Sequence, residues 1–251
     1  VIGIVSGKGG VGKTIVAINL AAALRHRYMK KVLLVDGNVT AAHVGLYLGL
    51  YSTPTTFNHI LRSGDDVRKA IYQHPSGIDV LPASIRLDDL KGVDWQTAKE
   101  KLAPILNEYD FVIIDSAPGF TKESLITLGS CSEIIMVTNP IVHYMADLIK
   151  CRELAREMNV RSLGVVVNMV RKKNYELSSK EINQLVDTVI SSIPYDDKVM
   201  ESIISKMPVI HSKSKVGNNF HDLAQYIIGD SYGGGGESRG FLSKISRVFR
   251  F

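Results

Sequence analysis

A glycine-rich segment near the start of the chain constrains the fold more than any other feature of the sequence. Residues 6–14 read SGKGGVGKT and follow an apolar run at residues 1–6. Apolar residues then recur at helical spacing from Thr14 to about Arg27. A glycine turn that leaves a buried strand and opens a helix is typical of α/β folds with a parallel sheet.

The rest of the chain repeats this alternation of strand and helix. Short, almost continuous apolar runs recur at residues 31–36, 78–81, 111–115, 133–138 and 163–168. Helix-like segments lie between them, for example at residues 95–109 and 146–158, and Ser178 and Glu181 have the spacing of a capping box. Strands that are apolar on both faces predict an α/β fold with a mostly parallel central sheet and helices on both sides.

Composition divides the chain into three parts. Of the 251 residues, 45% are hydrophobic and 22% are charged, which is ordinary for a globular protein, and we predict one α/β domain over residues 1–228. A glycine-rich linker at 229–239 then precedes an amphipathic segment at 240–251. No apolar run reaches the ~20 residues that span a bilayer, and the chain opens without a charged signal segment. We therefore expect a cytoplasmic protein.

The glycine-rich segment matches the phosphate-binding pattern GxxxxGK[ST]. Its glycines allow backbone N–H groups to point at phosphate oxygens, at the positive end of a helix dipole. Lys13 is placed to neutralise the β- and γ-phosphates, and Thr14 is placed to offer its hydroxyl to Mg²⁺. We therefore predict an ATP site with Mg²⁺ as cofactor. Its loop residues are Gly7, Lys8, Gly9, Gly10, Val11, Gly12, Lys13 and Thr14.

A second lysine, Lys8, stands early in this loop, and two further motifs end later strands. Residues 34–38 read LVDGN, and residues 111–119 read FVIIDSAPG. Together these motifs resemble the MinD/ParA family of deviant Walker A P-loop ATPases, and its MinD branch most closely, over residues 1–228 and the tail. The resemblance implies an ATP-dependent homodimer, in which Lys8 reaches the partner's nucleotide and Asp147 lies at a dimer contact near that lysine.

The resemblance also assigns the switch residues, which follow the second strand (switch I) and the strand at residues 111–115 (switch II). It implies that Asp36 and Asp115 join Thr14 at the metal, and that the backbone of Gly119 approaches the γ-phosphate. The catalytic residues would be Lys8, Lys13 and Asn38. The family usually carries an acidic residue at the position of Asn38. Because an amide can orient a water but cannot take its proton, we expect slow hydrolysis of ATP.

Three residues further along the chain match the family more weakly. Asn168, which follows an apolar strand, resembles the asparagine that reads the adenine edge. Pro194 and Asp196 lie in a segment that resembles the loop covering the base. The resemblance thus adds these three residues to the predicted ATP site.

The C-terminal tail is amphipathic at helical spacing and basic. It contains three of the five net positive charges of the chain, with Lys244, Arg247 and Arg250 opposite the apolar residues. This composition is typical of a helix that lies in a membrane interface, and it resembles the membrane-targeting sequence of MinD proteins. We expect peripheral binding to an anionic membrane, on the inner face of the cell membrane. The predicted membrane residues are Phe241, Leu242, Lys244, Ile245, Arg247, Val248 and Phe249.

These observations leave several functions open. The first is a MinD-like ATPase that positions an unidentified partner or division machinery and has an activating protein. The alternatives are a ParA-like ATPase that partitions DNA, a regulator of flagellum or pilus placement, and a stable ATP-bound switch that scarcely hydrolyses. Basic clusters at 171–173 and 213–215 are the only hints of a nucleic-acid surface outside the tail, so we expect no nucleic-acid partner.

The seven histidines and two cysteines show no metal-binding spacing, and we expect structural or surface roles for them.

Overall fold

The structure, a computed structural model, describes residues 1–232. Eight strands form one sheet in the order β3-β4-β2-β5-β1-β6-β7-β8, and every neighbouring pair is parallel except β3 and β4. The strands are β1 (Ile2–Val5), β2 (Val32–Gly37), β3 (Tyr72–Gln73), β4 (Asp79–Leu81), β5 (Phe111–Ser116), β6 (Glu133–Thr138), β7 (Arg161–Val170) and β8 (Val189–Pro194).

Helices link the parallel strands. They are α1 (Lys13–Tyr28), α2 (Val44–Tyr47), α3 (Phe57–Ser63), α4 (Ala98–Leu102), α5 (Lys122–Gly129), α6 (Val142–Glu157), α7 (Ser179–Leu185), α8 (Lys198–Ser205) and α9 (Lys215–Tyr232). Short 3₁₀ turns occupy residues 67–70, 87–90, 95–97, 103–108 and 209–211. Within residues 1–232, no helix combines the length and apolarity needed to cross a membrane.

Two hydrophobic cores lie on opposite faces of the sheet. Along β2, Val32 and Leu34 belong to the core that includes α1 and α9, whereas Leu33 and Val35 belong to the core on the other face. All six residues of β2 are buried. Burial on both faces explains why the central strands are almost continuously apolar, and it confirms the predicted α/β fold with a mostly parallel sheet.

Some predicted boundaries are wrong. The segment predicted as one helix at 95–109 is broken into two 3₁₀ turns around the short α4, and Pro104, which cannot donate a backbone hydrogen bond, lies in the second turn. The predicted helix at 146–158 begins four residues earlier, at Val142. Helix α9 runs to Tyr232, so residues 229–232 are helical although we assigned them to the linker. The remainder of the linker and the tail lie outside the described residues.

The sheet topology brings the predicted motifs to one edge. Strands β2, β5 and β1 are parallel neighbours, so the loops at their carboxyl ends share one side of the sheet. Asp36 on β2 and Asp115 on β5 are direct partners in the strand register. Open α/β sheets bind ligands at this edge.

Candidate nucleotide site

The glycine-rich loop between β1 and α1 has a conformation that requires glycine. Gly12 precedes α1 with φ of 90°, in the left-handed region, and Gly10 has φ of 78°. A Cβ on Gly12 would lie only 2.2 Å from the side-chain nitrogen of Asn168. Val11 is buried between these glycines and anchors the loop to the core. The loop therefore leads the chain into the N-terminus of α1, where the helix dipole favours an anion.

Lys13 is the first residue of α1 and is buried. Its ammonium donates to the Ser6 hydroxyl at 2.8 Å, and that hydroxyl donates to the Lys8 carbonyl at 2.6 Å. Burial lowers the pKa of Lys13, and the nearby Asp115 opposes this effect. Since the ammonium is held beneath the loop by one hydroxyl, it is placed to exchange that partner for a phosphate oxygen.

Asp115, at the end of β5, is buried without full hydrogen bonding. The Thr14 hydroxyl donates to its Oδ2 at 2.6 Å, whereas its Oδ1 has no partner. Burial raises its pKa to about 6, and the Thr14 hydrogen bond and the Lys13 charge oppose that rise. A buried, unpaired carboxylate oxygen beside a hydroxyl is the donor chemistry that Mg²⁺ prefers. The residues present therefore fit a magnesium ion at this position.

Asp36, at the end of β2, is also fully buried, but backbone donors surround it. Its Oδ1 accepts from the N–H of Asn38, and its Oδ2 accepts from the N–H groups of His43 and Val44, each at 3.1 Å. Burial raises its pKa well above the ordinary value, the Asp115 charge raises it further, and these three hydrogen bonds oppose the shift. Asp36 therefore closes the loop at residues 38–43, which we call switch I.

Asn38 lies inside switch I and is buried. Its side-chain amide donates to the carbonyl of Ala41 at 2.8 Å, which fixes the orientation of the side chain. The structure thus brings Asn38 to the same edge of the sheet as Lys13 and Asp115. Its catalytic role stays a prediction.

Lys8 and Asp147 meet within one chain. Their charged atoms lie 3.6 Å apart, and the Lys8 side chain is 48% exposed. A Cβ on Gly7 would lie 2.4 Å from the Cβ of Asp147, so the glycine loop packs directly against α6. The pair predicted at a dimer contact is therefore together in the single chain, and its role between two chains stays a prediction.

Gly119 and Asn168, which we predicted at the nucleotide, form hydrogen bonds within the protein. The N–H of Gly119, a residue with φ of 73°, donates to the Ser6 carbonyl at 3.0 Å, so the segment after β5 is attached to the glycine loop. The Asn168 amide donates to the Val11 carbonyl at 2.9 Å, beneath the same loop. The structure places Asn168 beside the site, and its contact with a base stays a prediction.

The segment predicted to cover the base includes an arrangement that sequence analysis missed. Pro194 ends β8, and Asp196 accepts from the N–H of Lys198 at 2.9 Å, at the start of α8. Between them, the guanidinium of Arg171 lies over the Tyr195 ring, with its Cζ 3.7 Å from the centre of the ring. A stacked cation and ring form a flat surface of the kind that planar bases contact. In the sequence, Arg171 is recognisable only as part of the basic cluster at residues 171–173.

The histidines include a cluster that their spacing did not indicate. The His26 ring lies 5.3 Å from the ring of His211 and 6.0 Å from that of His221, centre to centre. Among residues 1–232, however, no group of three or more histidine, cysteine or acidic side chains is arranged to hold a metal. A magnesium site with two carboxylates and a hydroxyl is compatible with this finding, because Mg²⁺ keeps several waters of its own.

Comparison with known proteins identifies the family of this domain. Residues 2–209 match the family model for the CobQ/CobB/MinD/ParA nucleotide-binding domain. An uncharacterised ATP-binding protein of Methanocaldococcus jannaschii is 32% identical over 234 residues, which cover 92% of this chain and 88% of that protein.

Solved structures of MinD proteins share the fold. The septum site-determining protein MinD of Pyrococcus horikoshii, complexed with Mg-ADP, is 28% identical with a TM-score of 0.87, covering 92% of this chain and 96% of that one. MinD in the MinC:MinD cell division complex of Aquifex aeolicus is 27% identical with a TM-score of 0.80, covering 91% and 95%. These matches confirm the family predicted from the glycine loop and the strand-end motifs. The chain belongs to the CobQ/CobB/MinD/ParA family of nucleotide-binding domains.

Proposed function

We propose that this protein is a Mg²⁺-dependent ATPase that dimerises on ATP, binds membrane reversibly through its tail and positions a partner protein. The observation that carries the catalytic part is the unpaired Oδ1 of Asp115, buried beside Thr14 and across the strand register from Asp36. The nucleotide-binding family and the Mg-ADP complex of the Pyrococcus horikoshii relative support it.

The residues of the site have separate roles in binding the nucleotide and the metal. Backbone N–H groups of residues 7–14 cradle the phosphates, and Lys13 leaves the Ser6 hydroxyl to neutralise their charge. Thr14 and Asp115 would hold Mg²⁺, and Asp36 would accept a hydrogen bond from a water of the ion. When bound, the metal neutralises charge that develops on the phosphate oxygens. No side chain of the site forms a covalent bond with the nucleotide, because hydrolysis depends on positioning the water and on stabilising charge on the phosphate.

Asn38 sets the expected rate. Its amide is fixed by the Ala41 carbonyl and can orient a water by hydrogen bonding. Because an amide cannot take the proton of that water, hydrolysis is slow, and the ATP-bound state is long-lived. A slow ATPase suits a protein whose bound state, rather than its turnover, is functional.

The pairing of Lys8 with Asp147 supports the proposed dimer. A half-exposed lysine held by one carboxylate at 3.6 Å has a weak partner, since exposed ion pairs contribute at most about 1 kcal/mol. The phosphates of a nucleotide on a second chain offer far more negative charge. Lys8 therefore leaves Asp147 for the partner's nucleotide when two ATP-bound chains meet.

The tail supplies the membrane contact. Three basic residues opposite an apolar face contribute about 1 kcal/mol each near an anionic surface. One short tail binds weakly, whereas two tails on a dimer gain roughly 10²-fold or more from effective concentration. Dimerisation on ATP thus controls membrane binding. MinD of Aquifex aeolicus forms a complex with MinC, and by analogy we propose a protein partner for this chain.

Co-sedimentation with anionic vesicles tests this proposal. The full chain is compared with ATP and with ADP, beside a variant with Phe241→Glu and Ile245→Glu. We expect binding with ATP alone, and its loss in the variant. Binding that ignores the nucleotide would contradict the dimer control. Salt-sensitive binding to DNA that is unchanged in the variant would instead support the ParA-like alternative.

A further inference from the structure

Switch I has a side-chain contact with the helix that follows β5. The hydroxyl of Thr40, in switch I, donates to a carboxylate oxygen of Glu123, in the first turn of α5. The two residues are 83 positions apart in the sequence, and no local motif connects them. We call this hydrogen bond the switch contact.

Both ends of the switch contact are anchored. On one side, Asp36 and the Asn38 amide hold the backbone of switch I on either side of Thr40. On the other side, Thr121 caps α5 by accepting from the N–H of Ser124 at 3.3 Å. Gly119, two residues before Thr121, is attached to the glycine loop through Ser6. The switch contact therefore joins switch I to the glycine loop through the start of α5.

The carboxylates around this edge of the sheet have different partners. Asp36 accepts three backbone N–H groups, Asp115 faces Thr14, and Asp147 pairs with Lys8. Glu123 instead accepts from the hydroxyl of Thr40 in switch I. Its place in the first turn of α5 is favourable for a negative charge, because the helix dipole is positive there.

The switch contact acts on the residue proposed to orient water. Asn38 is two residues from Thr40, and the Asn38 amide closes the turn that contains Thr40. A change in the position of Thr40 therefore changes the orientation of Asn38. We propose that Glu123 is a positioning residue for ATP hydrolysis, which acts through the Thr40 hydroxyl to hold Asn38 in place. This inference rests on the proposed ATPase function.

Kinetics of variants of the full chain test the inference. In Glu123→Ala and in Thr40→Val, we expect kcat for ATP to fall about 10-fold, with KM within twofold. The double variant should be no worse than either single variant, because both remove one hydrogen bond. Glu123→Gln should keep most of kcat, since its amide oxygen still accepts the hydroxyl. Lys122→Ala, an exposed change on the same turn, is the matched control.

Hydrogen exchange supplies a second readout that needs no turnover. In Glu123→Ala, we expect faster exchange of the N–H groups of Asn38, His43 and Val44, the three donors to Asp36. Lys122→Ala should exchange like the wild type. Unchanged exchange and unchanged kcat in Glu123→Ala would overturn the inference.

Two other outcomes separate the possible failures. If Glu123→Gln loses as much activity as Glu123→Ala while Thr40→Val is normal, the charge acts directly and the inference is overturned. If the wild type and the Lys122→Ala control hydrolyse no ATP above background, the proposed function fails instead. The exchange measurement then still decides whether Glu123 holds switch I.

Discussion

Asp36 and Asp115 are neighbours in the sheet, yet their surroundings differ. Both end a buried strand, and burial raises the pKa of both. Asp36 accepts three backbone N–H groups and so maintains the shape of switch I. Asp115 has one hydroxyl partner and one unpaired oxygen. The difference shows that Asp36 is held mainly by the backbone of switch I, whereas Asp115 keeps one oxygen available for a ligand.

Replacing each aspartate by alanine should affect stability very differently. Asp36→Ala leaves three N–H groups without an acceptor, and we expect it to lower the free energy of unfolding by on the order of 3–5 kcal/mol. Asp115→Ala removes a poorly solvated carboxylate, and we expect a loss under about 1 kcal/mol. Urea denaturation in EDTA, without nucleotide, measures both. Equal losses would mean that the two aspartates are not distinguished in this way.

Asp115 should matter much more for binding nucleotide with magnesium than it does for stability. In Asp115→Asn, we expect the affinity for ADP in the presence of Mg²⁺ to fall about 100-fold, because the neutral amide attracts the ion far less. In EDTA, the variant and the wild type should bind ADP alike. Titration calorimetry under both conditions checks this, and an equal loss in EDTA would show that the residue acts on the nucleotide and not on the metal.

Asp36→Asn refines the comparison. The amide oxygen can replace one carboxylate oxygen and accept the N–H groups that faced it. The NH₂ group replaces the other oxygen and cannot accept from the N–H that faced that position. We expect a loss of roughly 1–3 kcal/mol, between those of Asp36→Ala and Asp115→Ala. Thermal unfolding without ligand provides the measurement. A variant as stable as the wild type would show that the three hydrogen bonds contribute little.

His74 extends the comparison to a buried base that backbone groups satisfy. Its Nδ1 accepts from the N–H of Ser76, and its Nε2 lies 3.1 Å from the Lys206 carbonyl. Burial lowers its pKa, so the unfolded chain takes up a proton first as the pH falls, and stability should decline below pH 6.5. The slope should approach, at most, about 1.4 kcal/mol per pH unit.

A variant isolates the contribution of His74. His74→Gln cannot titrate, so the decline in unfolding free energy between pH 7 and pH 5 should be shallower than in the wild type. Denaturation curves at several pH values measure this difference. An unchanged slope would assign the acid sensitivity to other groups.

The sequence predicted the parts of the molecule that have local signals. The central strands are recognisable because both of their faces are buried, and the glycine loop follows from its spacing. The resemblance to the family adds the roles of the two strand-end aspartates. Strand β8 was missed, because four of its six residues are only partly buried and it includes Ser191 and Ser192. Strand β3 has only two residues.

Contacts between distant residues could not be predicted. The stacking of Arg171 on Tyr195 depends on how β7 and β8 pair, and the switch contact depends on the packing of α5. The state of hydrogen bonding around Asp36 and Asp115 is likewise a property of the folded loops. The fold brings the sequence motifs together, and tertiary packing decides which contacts each of their residues makes.

The central claim is that ATP joins two copies of this chain. Light scattering coupled to size-exclusion chromatography, with Mg²⁺ and either ATP or ADP in the buffer, tests it directly. We predict a dimer with ATP, a monomer with ADP, and a monomer with either nucleotide for Lys8→Ala. The same monomeric mass with ATP and ADP, in wild-type protein shown to bind both nucleotides, would contradict the account.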